Sequence, residues 1–258
     1  MASLEICVGD AAGIDAAIAG GADRIELCSA LEQGGLTPSI GLIRHAVARG
    51  IPTFVLLRPR PGNFIHDAAE AAILCDDIDA AATAGATGLV IGAALPDGRL
   101  DAPLLERLVR HATEAGDRIG RRIALTLHRV IDLCPDQHAA LDIAIALGFD
   151  RVLTSGGAPT ALEGRTALAA LHAHAAGRIL ILAGSGVDAA AAPALLASGA
   201  DELHASARRT ASQDPRLVAM GFAAATRRVT DAEAVVALRT AIRTVEDGRK
   251  KGLSNTNA

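Results

Sequence analysis

The chain has 258 residues, half of them hydrophobic, yet it holds only four Phe and no Trp or Tyr, so Ala, Leu, Ile and Val must build its core. That scarcity excludes aromatic base-stacking platforms, and a net charge of −4 argues against a DNA- or RNA-binding role. The chain lacks an apolar run of about 18 residues or a leader-like start, and its cysteines (Cys7, Cys28, Cys75, Cys134) are too few and too dispersed for a secreted disulfide framework. A cytoplasmic protein with reduced thiols and no membrane span is expected.

Strand-like residues begin at 4–8. The phrase Gly21-Ala-Asp-Arg-Ile-Glu-Leu-Cys28 follows: a helix-closing Gly, a tight turn and a β-prone run. Next come a helix over 39–49, a strand over 53–59 and a helix over 70–84. The phrase returns as Gly85-Ala-Thr-Gly-Leu-Val-Ile-Gly92, before a helix at 102–115, a strand at 122–129 and a helix at 138–147. Its third copy is Gly148-Phe-Asp-Arg-Val-Leu-Thr-Ser155, before a helix at 160–175 and a strand at 178–184. The fourth is Gly199-Ala-Asp-Glu-Leu-His-Ala-Ser206. Copies start 64, 63 and 51 residues apart, about the length of two βα units. Eight strands alternating with helices predict a single (β/α)8 TIM barrel over 1–247, with 248–258 as a flexible tail. A doubly wound open sheet does not account for a pairwise repeat along the chain. The span 207–230 is long for a connection and carries Arg208-Arg209, Arg227-Arg228 and Met220-Gly-Phe222, which suits a lid or an arm toward a partner subunit.

Alternation along strands assigns faces. Ile6, Ile25 and Leu27 are expected toward the helices. Glu5, Cys7, Arg24, Glu26, Cys28, Glu202, His204 and Ser206 then point into the barrel. Buried charge must be paired, so Arg24, Arg151 and Glu202 read as an ion-paired plug near the floor. Groups nearer the strand C-termini are the functional candidates, because sites of this fold lie there.

Glu5-Ile-Cys7 and Glu26-Leu-Cys28 repeat one phrase on two strands. If the strands are neighbours, about 4.8 Å apart, the sulfurs approach closely. Two thiolates with few other ligands suit Cu(I) better than Zn(II); the alternative is a pair of buried thiols acting as small hydrophobes. Arg58-Pro-Arg60 ends the third strand and invites an anion, or neutralises Glu5 or Glu26. His128-Arg129 with Asp132 ends the fifth and offers acid–base or oxyanion chemistry. Ser155, and Gly184-Ser-Gly186 after the seventh strand, offer backbone amides to a phosphate or carboxylate, with His204 and Ser206 alongside.

These phrases, together with Gly34-Gly-Leu-Thr-Pro-Ser39, Leu153-Thr-Ser-Gly156 and His204-Ala-Ser206, occur in an order that resembles the CutC family across residues 4 to 206. The resemblance implies a cytoplasmic barrel linked by name to copper homeostasis, found as dimers or tetramers, with a Cu(I) site at the cysteines matching Cys7 and Cys28. The chain departs from the family pattern where Pro61-Gly62-Asn63 replaces Gly-Gly-Asp, and where Val130-Ile131 replaces Ala-Phe.

Two functions therefore compete. One is Cu(I) handling on Cys7 and Cys28. The other is a lyase, isomerase or aldolase acting on a small anionic or sugar-like substrate. There Glu26 or Asp132 serves as base, His128 as acid, and Arg58, Arg60 and Arg129 as anchors. An interaction scaffold without chemistry leaves the polar barrel mouth unexplained.

Overall fold

Eight parallel strands close on themselves: β1 (Ser3–Val8), β2 (Arg24–Leu27), β3 (Thr53–Leu56), β4 (Gly88–Ile91), β5 (Ala124–Leu127), β6 (Arg151–Thr154), β7 (Leu180–Gly184) and β8 (Glu202–Ala205). Each pairs with the next, and β8 returns to β1 through Glu5 opposite His204. The computed structural model describes residues 2–255, with side chains over 2–248. Around the barrel lie α1 (Ala11–Ala19), α2 (Ile40–Ala48), α3 (Ala68–Ala84), α4 (Ala102–Arg118), α5 (Gln137–Ala146), α6 (Arg165–Ala175), α7 (Ala192–Ala197) and, after an excursion, α9 (Ala232–Asn255). This is the (β/α)8 barrel expected from the repeat. No helix among the described residues is long and apolar enough to cross a membrane.

The repeated phrase has a mechanical reason. Its glycines, Gly21, Gly85, Gly148 and Gly199, all take positive φ (82°, 98°, 81° and 94°), which lets each helix stop and turn back under the barrel. The residue two places later then ties down the preceding strand. Asp23, Asp150 and Asp201 accept the backbone N–H of Leu4, Leu125 and Ile181 at 2.7, 2.7 and 2.8 Å. In the second copy Thr87 does the same for Thr53 through its hydroxyl, at 3.2 Å. At the other end of the βα units, Asp10, Ser39, Asp67, Asp101 and Asp136 cap helix N-termini, Asp67 in a capping box with Glu70.

Strand alternation sorts the faces as expected. Ile6, Ile25 and Leu27 are fully buried between sheet and helices, whereas Cys28, Phe54, Leu56 and Val90 form a small apolar cluster of their own inside the barrel. Below it lies the ion-paired plug. Glu202 takes Arg24 Nη1 and Nη2 at 2.9 and 2.5 Å and Arg151 Nε at 3.1 Å, while Arg24 Nε donates to Glu5 at 2.5 Å. Both guanidiniums face the Phe54 ring, at 5.3 and 4.8 Å from its centroid. Phe54 has room because Gly88 lies under it; a Cβ there would collide with the ring.

The span read as a long loop needs correction. The span 207–230 is an antiparallel hairpin, β9 (Arg208–Ser212) with β10 (Thr226–Thr230), carrying the short helix α8 (Pro215–Ala219) at its far end. Its β-prone Arg208-Arg-Thr-Ala-Ser and Thr226-Arg-Arg-Val-Thr runs pair with each other, off the barrel. The segment read as a tail, 248–258, is helical through Asn255 as the end of α9, and its last three residues lie outside the described residues.

Candidate functional site

A cavity of about 790 Å³ opens among the strand C-termini, with Cys7, Glu26, Arg58, His128, His204 and Arg208 on its wall. Arg129, Ser185, Gly186 and Ser206 also reach it, so nine of the expected site residues converge there. Cys28, Arg60, Asp132, Ser155 and Gly184 do not line it.

On one side stands a chain of buried ionisable groups supplied by β1, β2 and β8. Their register fixes it: Glu5 lies opposite Arg24 and His204, and Cys7 opposite Glu26. His204 Nδ1 is 2.7 Å from Glu5 Oε1, and its Nε2 is 3.8 Å from Glu26 Oε2. One donor atom each from Cys7, Glu26 and His204 all lie within 4.8 Å of one another. Burial alone would strip the proton from His204, but hydrogen bonding to Cys7, the Glu26 charge and the bond to Glu5 outweigh it, so the ring holds its proton well above the usual range. Burial would raise Glu5, yet Arg24 and His204 hold it down at about 2. Glu26 has fewer compensating partners, and burial lifts it above the ordinary carboxylate value. From the hairpin, Arg208 Nη2 points at Cys7 Sγ from 3.8 Å.

Across the cavity, His128 at the end of β5 is 5% exposed. Its Nδ1 accepts the Val130 N–H at 3.1 Å, which places the proton of the neutral ring on Nε2. Burial, followed by the Arg58 charge, pushes its pKa down to about 3, so the ring is neutral at physiological pH. The ring sits over Gly92, where any Cβ would strike it, and packs 4.6 Å from the Phe64 ring. Arg58, at the end of β3, donates to the carbonyls of Gln33, Gly35 and Gly62 at 3.0, 3.1 and 2.7 Å and meets no carboxylate among the described residues. The expectation that it neutralises Glu5 or Glu26 is therefore replaced: those two answer to Arg24 and His204.

Several other candidates have structural posts. Asp132 accepts Thr154 Oγ1 at 2.5 Å, Ser155 N at 3.0 Å, Gly157 N at 3.1 Å and Arg129 Nε at 2.7 Å, so its oxygens clasp the turn after β6 and are not free for acid–base work. Ser155 is spent likewise, receiving Arg129 and donating to the Ala158 carbonyl at 2.6 Å. Arg60 pairs with Glu70 and braces its own loop. Gly184 makes room for Leu153 and His204. The Ser185–Gly186 turn meets the cavity, but the Asp188 carboxylate already takes the Ala190 and Ala191 amides at 3.0 and 2.8 Å, an internal anion beside the expected phosphate cradle. Sequence reasoning missed Phe64, whose place in a loop carries no periodic signal. It also missed Glu5 as a partner of His204, although strand alternation had pointed it inward.

The sequence model of the CutC family matches residues 2–209. The chain belongs to the CutC family. A CutC protein of Sinorhizobium medicae is 50% identical over 238 residues, covering 92% of this chain and 94% of that one. One from Caulobacter vibrioides is 46% identical over 244 residues, covering 92% and 96%. The crystal structure of a Streptococcus agalactiae CutC, described there as a copper homeostasis protein, is 29% identical with a TM-score of 0.73, covering 80% of this chain and 99% of that one. The deoxyribose phosphate aldolase of Aeropyrum pernix, at 15% identity and a TM-score of 0.59, shares the fold alone.

Within this CutC chain the cysteine expectation divides. Cys7 joins His204 and Glu26 in the only close set of candidate metal donors among the described residues. Cys28 stands apart from that set: 1% exposed, packed with Phe54, Leu56 and Val90, its Sγ donating to Glu26 Oε2 at 3.5 Å. Burial and the Glu26 charge push its thiol well above the usual range, which disfavours the thiolate a metal requires. The departures from the family pattern are also placed. Asn63 accepts Arg60 Nη2 at 3.0 Å through a neutral amide oxygen, and Val130 and Ile131 are fully buried in the turn that holds His128.

Proposed function

We propose that this CutC-family chain serves copper homeostasis and takes Cu(I) as cargo at the barrel mouth, on Cys7 with His204 as the second ligand. The observation that carries the reading is the Cys7, His204 and Glu26 trio, gathered within 4.8 Å on adjacent strands. A thiolate and an imidazole are soft enough for Cu(I) and too few for a closed Zn(II) site; Glu26 is a hard donor, poorly matched to Cu(I). Arg208 Nη2 stands 3.8 Å from Cys7 Sγ, a cation beside the proposed sulfur ligand. Loading requires His204 to give up the proton it holds, so binding releases protons and strengthens as pH rises. The family relationship supports the copper assignment, since the Streptococcus agalactiae relative carries that description. The free state of all four cysteines agrees with a reducing, cytoplasmic setting.

The test is an anaerobic Cu(I) titration against a chelating competitor. Wild type should bind about one copper per chain, Cys7→Ser should lose at least about a hundredfold in affinity, and Cys28→Ser should stay within a few-fold. Equal losses in both single variants would overturn the division between the two thiols, and cysteine-independent binding would overturn the site.

A further inference from the structure

The copper reading leaves the opposite wall of the cavity without a task. There two nearly buried polar side chains, Arg58 at 7% exposure and His128 at 5%, each keep a nitrogen with no hydrogen-bond partner: Arg58 Nε and His128 Nε2. Unsatisfied buried donors are costly, and a folded chain keeps them where a ligand supplies the acceptor. Arg58 has five N–H donors, of which three go to the Gln33, Gly35 and Gly62 carbonyls. The Nε–H and one hydrogen on the adjacent Nη2 remain, on the guanidinium edge that receives two oxygens of one group. No carboxylate pairs with Arg58 among the described residues, and Phe64 lies against both it and His128, shielding them from water. The wider wall has the same sign: four arginines line the cavity, of which Arg129 alone is paired with a carboxylate outside it, Asp132, against two lining carboxylates, in a chain whose net charge is −4. The carboxylates are engaged, Glu26 with His204 and Asp188 with backbone amides. Arg208 and Arg228, from the β9–β10 hairpin, also line the cavity and have no carboxylate partner among the described residues; Arg208 Nη2 faces Cys7 Sγ at 3.8 Å.

From this geometry we infer that the cavity contains an oxyanion subsite, in which Arg58 and the Nε2–H of His128 hold a carboxylate or phosphate group of a small polar molecule, with Arg208 and Arg228 closing over it from the hairpin. A neutral imidazole is suited to this task, because it donates one directed hydrogen bond without adding a second buried cation beside Arg58. The two anchoring residues, Arg58 and His128, lie outside the Cys7, His204 and Glu26 set; Arg208 alone touches both sites, its Nη2 3.8 Å from Cys7 Sγ.

The test uses metal-free full-length chain labelled with 15N in its histidines, titrated with inorganic phosphate and separately with oxalate, with chloride at matched ionic strength as the control. The expected result is a saturable shift of the His128 Nε2–H resonance with one or both oxyanions; the oxyanion that binds distinguishes phosphate from carboxylate recognition. Arg58→Lys, which keeps the charge but loses the two-nitrogen edge, should weaken that binding at least tenfold, as should His128→Gln. Arg228→Gln lies at an exposed position and serves if the buried variants fail to fold; it should weaken binding about threefold. Cys7→Ser alters only a neighbour of Arg208 and should leave oxyanion binding within about twofold, which separates failure of this subsite from failure of the copper site. An equal shift with chloride, no response to either oxyanion, or unchanged affinity in the folded Arg58 and Arg228 variants would overturn the inference.

Discussion

Replacing Glu202 by Gln keeps the shape of the barrel floor and removes one charge from it. Glu202 accepts three guanidinium nitrogens, two from Arg24 at 2.9 and 2.5 Å and one from Arg151 at 3.1 Å. After the change, Arg24 keeps only the Glu5 carboxylate, which also serves His204, and Arg151 loses its one carboxylate partner among the described residues. The Gln amide also presents N–H donors to guanidinium donors. Breaking a buried pair of this kind costs about 3–5 kcal/mol, because a charge stays in the interior without its partner. For a domain of this size that corresponds to a fall of roughly 10 °C in Tm. Denaturant unfolding measures it directly, and a double-mutant cycle isolates the cause. Arg151→Met in the Glu202→Gln background removes the surplus cation, so the double variant should recover about 1–3 kcal/mol relative to the sum of the singles. A loss below about 1 kcal/mol for Glu202→Gln, or strict additivity in the cycle, would refute the view that the plug is held by charge pairing rather than by packing on Phe54.

Other consequences follow from the same contacts. Gly92→Ala forces the His128 ring off its seat, so it should cost about 1–3 kcal/mol in denaturant unfolding and abolish the phosphate-induced shift of Nε2–H. Asp132→Asn loosens the clasp on the turn after β6; a loss of about 2 kcal/mol in thermal unfolding is expected, with Cu(I) affinity within threefold of wild type. Glu5 is held down at about 2, so the stability it contributes is complete above its ordinary value of 4.5 and is lost as pH falls through about 2. Unfolding free energies followed from pH 6 to pH 2 should therefore fall less steeply in Glu5→Gln than in wild type. His128, pushed down to about 3, should show no imidazole titration by NMR between pH 5 and pH 8.

The barrel was legible because its signals are local and repeated. Each copy of the glycine phrase carries both its helix stop and the side chain that ties down a neighbouring strand, as Asp23, Thr87, Asp150 and Asp201 show. Period-2 alternation was enough to turn Glu5, Arg24, Glu202 and His204 inward and to predict the plug. It was not enough to say which neighbours an inward residue meets. Closure of the barrel sets β8 beside β1, and that pairing, invisible along the chain, gives His204 to Cys7 and Glu5. The repeated Glu-x-Cys phrase suggested two equivalent thiols. Their surroundings differ, however: Cys7 lines the cavity, while Cys28 packs with Leu56 beside the backbone of Gly35. Asp132 and Arg60 read as site residues because charge near a strand end is all that a sequence displays; whether that charge is already spent on backbone amides or on Glu70 depends on loop geometry. The hairpin at 208–230 was read as a loop because its strands pair only with each other and bury little apolar surface.

Copper held by one sulfur and one imidazole nitrogen has a direct signature in the X-ray absorption of the Cu(I)-loaded protein. One sulfur and one nitrogen scatterer are expected at copper, the sulfur lost in Cys7→Ser and retained in Cys28→Ser. Two sulfur scatterers, with one disappearing in each single variant, would contradict it and restore the paired-thiol site.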